Sequence, residues 1–180
     1  RVLSFEPDVD NFSFLQQMIV QNKLDNIIAY NVALGDHNGE INLYLSEDNK
    51  GDHRVYPVTT ENRVKITVPL KTLDSVLGVQ QLGGVDLIKM DVQGAEGLVV
   101  NGMLETLTAN TNLIIFSEFW PEGLKNTGTD PMIVLQKLAQ GRVVYEINEK
   151  RKALIEVKDF AGFIAQYTGR KYANIICKNG

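Results

Sequence analysis

Residues 85–100 read VDLIKMDVQGAEGLVV, and this run leaves the chain few architectures. An apolar strand ends on an acid, the backbone turns at a glycine, and a helix with an apolar face begins at once. Strands that feed directly into helices build parallel sheets covered by helical layers. Lys89 and Asp91 break the apolar run expected of a strand buried on both faces. Departures of that kind gather at functional or strained places.

The rest of the chain repeats the alternation. VLSF (2–5) reads as a short strand that stops at Glu6-Pro7. In DVDNFSFLQQMIVQN, Asp and Asn offer N-caps, and Phe12, Leu15, Met18, Ile19 and Asn22 fall at helical spacing. NIIAYNVAL (26–34) reads as a second strand. EINLYLS (40–46), HRVYPV (53–58) and VKITVPL (64–70) read as hairpin strands, and TLDSVLG as a short helix. DLIKMD (86–91) is a strand. AEGLVVNGMLETL (95–107) is a helix with Leu98, Val99, Met103, Leu104 and Leu107 inward, and NLIIFSE (112–118) is a strand. DPMIVLQKLAQG is a helix capped by Asp130, with Pro131 at its first position and Gly141 past its end. VVYEI (143–147) and YANIIC (172–177) close the sheet around a helical VKDFAGFIAQY. The expectation is a single α/β domain over residues 1–180 with a mainly parallel sheet.

Ligands of such sheets bind outside the carboxyl ends of the strands. Those ends carry Glu6, Asn31 with Asp36 beyond it, Asp91 and Glu118, so polar groups should share one rim. A carboxylate offers two acceptor oxygens, which suits Glu6 to the paired hydroxyls of a ribose in NAD and S-adenosylmethionine alike; the plainer reading is that Glu6 starts a turn before Pro7. Lys89 and Asp91, two apart in a strand, share a face. A buried lysine needs a partner, which Asp91 or Glu118 can supply, either as a structural ion pair or in catalysis. Glu96 complements a helix dipole, and Gly94 permits a tight turn.

Composition narrows the partners. The net charge is −4 with both signs dispersed, and no Lys/Arg run points to nucleic acid or an anionic membrane. Cys177 is the only cysteine, so no intrachain disulfide forms; a reducing cytoplasm fits, with Cys177 as a small buried hydrophobe. No apolar run approaches the roughly 20 residues of a membrane span, and no signal-peptide pattern opens the chain. The start, RVLSFEP, lacks Met and lies almost at once inside a strand, which reads as a piece of a longer protein.

VLSFEP, NVALGD, LKTLDSVL, DLIKMDVQGAEGLVVNG and IIFSEFWPEGL, in this order, resemble the FkbM-type S-adenosylmethionine-dependent methyltransferases. The resemblance runs from residue 2 to about residue 150, and YANIIC looks like the last strand of that fold. DVQGAE stands where the family has DVEGAE, so Gln93 is a departure. The resemblance implies a Rossmann-like class I methyltransferase sheet of strand order 3-2-1-4-5-7-6 with an antiparallel last strand. It implies that Glu6 binds the cofactor ribose, that Asn31, Val32 and Ala33 border the adenine, and that Asp91 lies near the methionine moiety and the transferred methyl. It also implies O-methylation of a hydroxyl on a sugar or natural product, so a small-molecule or glycan acceptor. The family's first strand and glycine-rich loop should precede Arg1. No G-x-G-x-x-G occurs, and Gly83-Gly84 does not follow a strand. The first strand is therefore expected to be missing from this chain, which alone should bind cofactor poorly and should expose strand edges open to homo-oligomerisation.

A hydroxyl acceptor gains from a general base. His53, in the polar stretch NKGDHRVY, suits that role if it hangs over the rim; Asp91 and Glu118 are the alternatives, and His37 reads as surface. Arg54 can hold a polar acceptor or remain a solvated side chain. Trp120 either stacks on a sugar or packs in the core. Two other classes compete. One is a nicotinamide-dependent oxidoreductase, which needs a dinucleotide fingerprint. The other is a non-catalytic binding module, either a receiver domain or a degenerate methyltransferase-like fold.

Overall fold

The computed structural model describes residues 1–80 and 84–180; Gly83, first of the Gly-Gly pair, lies outside the described residues. The chain opens with strand β1 (Val2–Phe5) and helix α1 (Val9–Gln21). Asp8 caps the helix, its Oδ1 accepting the Asn11 N–H at 2.9 Å. Strand β2 (Ile27–Tyr30) pairs parallel with β1, and the Phe5 and Tyr30 rings stack with centroids 5.3 Å apart. The strand expected over 26–34 breaks at Asn31, whose amide donates to the carbonyls of Glu6 (2.8 Å) and Pro7 (3.0 Å). Those bonds turn the chain out of the β1–β2 ladder, and it resumes as β3 (Ala33–Leu34) in another sheet.

That sheet has the order β3-β5-β4, with β4 (Gly39–Leu45) and β5 (Val64–Lys71) antiparallel. The hairpin strand expected at 53–58 is not formed. Only one bridge, Tyr44 to Arg54, joins this segment to β4. Pro57 has no N–H for a ladder, and Asp52 gathers Arg54 (2.8 Å) and Arg63 (2.6 Å) into a compact ion cluster instead.

Helix α2 (Leu73–Gln80) leads towards β6 (Leu87–Met90). The single helix expected over 95–107 is two, α3 (Glu96–Asn101) and α4 (Leu104–Ala109). The break falls at Gly102, where any Cβ would collide with the Gly35 carbonyl. Val99, Val100, Met103 and Leu107 point inward, whereas Leu98 is only partly buried and Leu104 is exposed. Then follow β7 (Ile114–Phe119), α5 (Pro121–Asn126), α6 (Pro131–Leu138), β8 (Val143–Asn148), β9 (Ala153–Glu156), α7 (Phe160–Gln166) and β10 (Ala173–Lys178). Helix α6 starts as its sequence predicts, Asp130 accepting the Met132 N–H at 2.8 Å ahead of Pro131.

The second large sheet has the order β6-β7-β10-β8-β9. Only β6–β7 is parallel within it; β10 runs antiparallel to both neighbours, and β9 returns against β8. The expectation of a mainly parallel sheet therefore gives way to mixed sheets. The main core lies on this sheet, with Val100, Leu113, Ile115, Leu135 and Ile175 fully buried. Cys177 belongs to it, and burial pushes its thiol up to about 12, the state of an inert hydrophobe. Among the described residues, no helix is long and apolar enough to cross a membrane.

Candidate active site

β1 and β6 do not pair with each other. Between them lies a cavity of about 880 Å³, lined along the length of both strands from Val2 to Glu6 and from Leu87 to Asp91. Its size is that of a small-molecule site. Because β6 has a strand partner on one side only, the expected burial of Lys89 does not occur: its side chain is 59% exposed.

The carboxyl ends of the strands meet at one end of this cavity. Glu6, immediately after β1, accepts the Asp8 N–H on Oε1 at 2.8 Å. The side chain is half-buried, and burial pushes its carboxyl above the ordinary range. Asn31 is not part of the lining; its amide ties the end of β2 to the end of β1, so that Val32 and Ala33 reach the cavity wall. Asp91 lies on the opposite wall. Its Oδ1 accepts from the Gln93 amide (3.2 Å) and its Oδ2 from Lys89 (3.4 Å). The Gln93 amide makes that position a partner of Asp91, which a carboxylate there could not be.

Glu118 follows from the strand register. Met90 is opposite Ser117 in the parallel β6–β7 pair, so Asp91 and Glu118 are the next neighbours along it. Glu118 is outside the cavity lining but beside Asp91; burial first, and then the Asp91 charge, push its carboxyl above the ordinary range. Glu6 and Asp91 thus line one cavity, with Asn31 bonded to the backbone beside Glu6 and Glu118 next to Asp91 outside the lining.

His53 lines the cavity, with Nδ1 engaged and Nε2 buried without a hydrogen-bond partner. Nδ1 accepts the Ser46 N–H at 3.0 Å, so the proton is on Nε2, which faces Asp8 Oδ1 at 3.9 Å. The side chain is only 7% exposed, and burial pushes its pKa down. In this tautomer the Nδ1 lone pair is occupied by the Ser46 N–H. His37 is exposed beside Asp36, as read from sequence. The Arg54 guanidinium is held by Asp52 and lies 5.0 Å from the Trp120 ring. Trp120 is buried, with its indole N–H on the Gly169 carbonyl at 2.6 Å, so it packs rather than offering a face to a sugar.

Two side chains escaped the sequence reading. Asp8, buried beneath His53, looked like a helix cap and nothing more. Glu96 looked like a dipole complement, yet it is 2% exposed. The signal was its place on the same helical face as Val99 and Val100, both core residues.

A cavity with an acid after each of two strands distant in sequence lies where sheets of the α/β class commonly bind ligands. Comparison with known proteins defines it further. The family model of the methyltransferase FkbM domain matches residues 1–167, and the chain belongs to that family. It is 29% identical over 134 residues to the 2-O-methyltransferase NoeI of Sinorhizobium fredii, covering 66% of this chain and 53% of that protein. It is 27% identical over 120 residues to Methyltransferase 1 of Beauveria bassiana, covering 57% of this chain and 48% of that one. The chain therefore spans about half the length of the curated relatives it matches. In fold it is similar to the crystal structure of methyltransferase FkbM from Methylobacillus flagellatus, with TM-score 0.57 at 12% identity, covering 98% of this chain and 36% of that one.

Proposed function

We propose that these residues form the cofactor- and acceptor-binding core of an S-adenosylmethionine-dependent O-methyltransferase acting on a hydroxyl of a small molecule or glycan. The observation that carries this is the convergence of Glu6 and Asp91 on one cavity, in a chain of a methyltransferase family. The name of the Sinorhizobium relative supports oxygen as the acceptor atom. Family membership sets aside the nicotinamide-dependent reading.

The residues fit the cofactor. Glu6 keeps carboxylate lone pairs beyond the one given to Asp8, which suits ribose hydroxyls. Val32 and Ala33 supply an apolar wall for the adenine, and Asp91 faces the reacting end. When bound, the cofactor supplies a methyl group already activated on a sulfonium. The protein's work is then alignment, and proximity is worth roughly 7–11 kcal/mol of such a barrier. Glu118, whose affinity for a proton is raised by burial and by Asp91, is the group suited to take the acceptor's proton. Asp91, with both oxygens engaged, orients rather than abstracts. His53 fixes the overlying segment to Ser46.

The same reading completes the sheet. On this reading β2-β1 would correspond to strands 3-2 and β6-β7-β10-β8 to strands 4-5-7-6, with the cavity between the two halves. A parallel strand between β1 and β6 would join them into the class I sheet, leaving the rim to the cofactor. The test is calorimetric titration with S-adenosylhomocysteine of the longest naturally encoded chain containing these residues. Micromolar binding is expected, weakened roughly tenfold or more in Glu6→Gln. The 180-residue chain alone should bind far more weakly. No binding by the longer chain would contradict the proposal.

A further inference from the structure

The proposed mechanism makes no use of Glu96, the first residue of α3, although its carboxyl is buried near the site, with 2% of the residue exposed. Its Oε1 accepts the Val92 N–H at 3.0 Å, and its Oε2 is buried without a hydrogen-bond partner. An orphaned buried polar atom is destabilising, a burden that an apolar residue at 96 would not carry.

The bond to Val92 acts on a turn that is constrained throughout. Gln93 has φ 53° and Gly94 φ 94°, both left-handed. Gly94 lies so close to Gly123 that a Cβ would approach its Cα to 2.7 Å, and the Thr127 hydroxyl donates to the Gly94 carbonyl at 3.0 Å. Ala95 N–H closes the turn on the Val92 carbonyl at 3.1 Å. Thus α5 and Thr127 hold the far side, and Glu96 bonds the near side at Val92, one residue from Asp91.

We propose that Glu96 is a positioning residue for Asp91: by reaching back to the Val92 N–H it fixes the direction from which Asp91 meets the cavity. The inference rests on the methyltransferase reading only for the identity of what Asp91 meets.

Burial first, and then the charges of Glu118 and Asp91, raise the Glu96 carboxyl to about 7. Asp91, with Lys89 and Gln93 on it, faces Glu96 from the end of β6; Glu118 faces it from β7, and Asp52 adds to the field at Glu118. Lys137 of α6 bonds Asn101 at the opposite end of α3. With its proton, Glu96 holds Val92 without adding a third negative charge beside Asp91 and Glu118. Without it, repulsion acts directly on Asp91.

The test follows carbon and amide resonances in the isotopically labelled chain. The Glu96 carboxyl should titrate near neutrality, and the Asp91 carboxyl and Val92 amide should move with the same midpoint. Glu96→Gln, which keeps the acceptor, should abolish that common midpoint while leaving Val92 protected from exchange. Glu96→Ala should raise Val92 exchange by roughly tenfold or more. An Asp91 resonance indifferent to the Glu96 titration, or Val92 exchange unchanged in Glu96→Ala, would overturn the proposal. Titration of the longer chain with S-adenosylhomocysteine supplies a second arm: Glu96→Ala should weaken binding with Asp91 present and add nothing in Asp91→Asn. Independent, additive losses would also overturn it. Absence of binding by the unsubstituted protein would instead fail the methyl-donor reading and leave the resonance result to decide on Glu96.

Discussion

The two sides of the cavity are built to different standards. On one side, β6 to β10 surround a core in which Leu113, Ile115, Leu135 and Ile175 are fully buried. On the other, β1, α1 and β2 contain no buried residue apart from the cap Asp8, and Phe14 on α1 is 65% exposed. Both sides use the same alternation of strand and helix. The difference lies in what covers them: β7 and β10 have strands on both edges, whereas β1 has β2 alone. Amphipathic patterning specifies which face a strand should bury, but the burial itself comes from neighbours.

This contrast can be broken by substitution. Leu135→Ala, at a site with 0% exposure, should cost about 2–5 kcal/mol in urea unfolding, whereas Phe14→Ala should stay within about 0.5 kcal/mol. Equal losses would show that α1 is covered after all. The next effect is pH-dependent. Burial raises the Glu96 pKa from 4.5 to about 7, so the folded state holds that proton more tightly than the unfolded one. The stability this confers is complete below about pH 4.5 and is lost as pH rises through about 7. Relative to the natural protein, Glu96→Gln should therefore gain on the order of 2–3 kcal/mol between pH 5 and pH 8. A smaller change is expected at Asn31. Asn31→Ala removes two bonds to the β1 end and should cost about 1 kcal/mol, with faster amide exchange confined to β1 and β2 if that unit opens by itself.

Much of the site was legible because acids stood out against apolar strands. Glu6, Asp91 and Glu118 each end or follow such a run; Glu6 and Asp91 line the cavity, and Glu118 neighbours Asp91 outside it. What the pattern could not carry were facts set by partners. Lys89 breaks an apolar strand, which implied burial, but its exposure depends on the unpaired edge of β6. His53 lines the cavity, while its Nδ1 is engaged by a backbone N–H seven residues away. The segment 53–58 alternates like a strand, yet Pro57 and the Asp52 ion cluster take it elsewhere. β9 went unseen because ALIE, between RK and VK, offers too short an apolar signal, and its partner β8 makes the strand.

The central claim is that β1 and β6 are opposite walls of one cofactor site. Hydrogen exchange of the longest naturally encoded chain, with and without S-adenosylhomocysteine, tests it most directly. The account predicts that ligand slows exchange together at residues 2–7 and 86–93 and leaves 143–178 unchanged. Protection of only one of those two segments, or of the β8–β10 region instead, would contradict it.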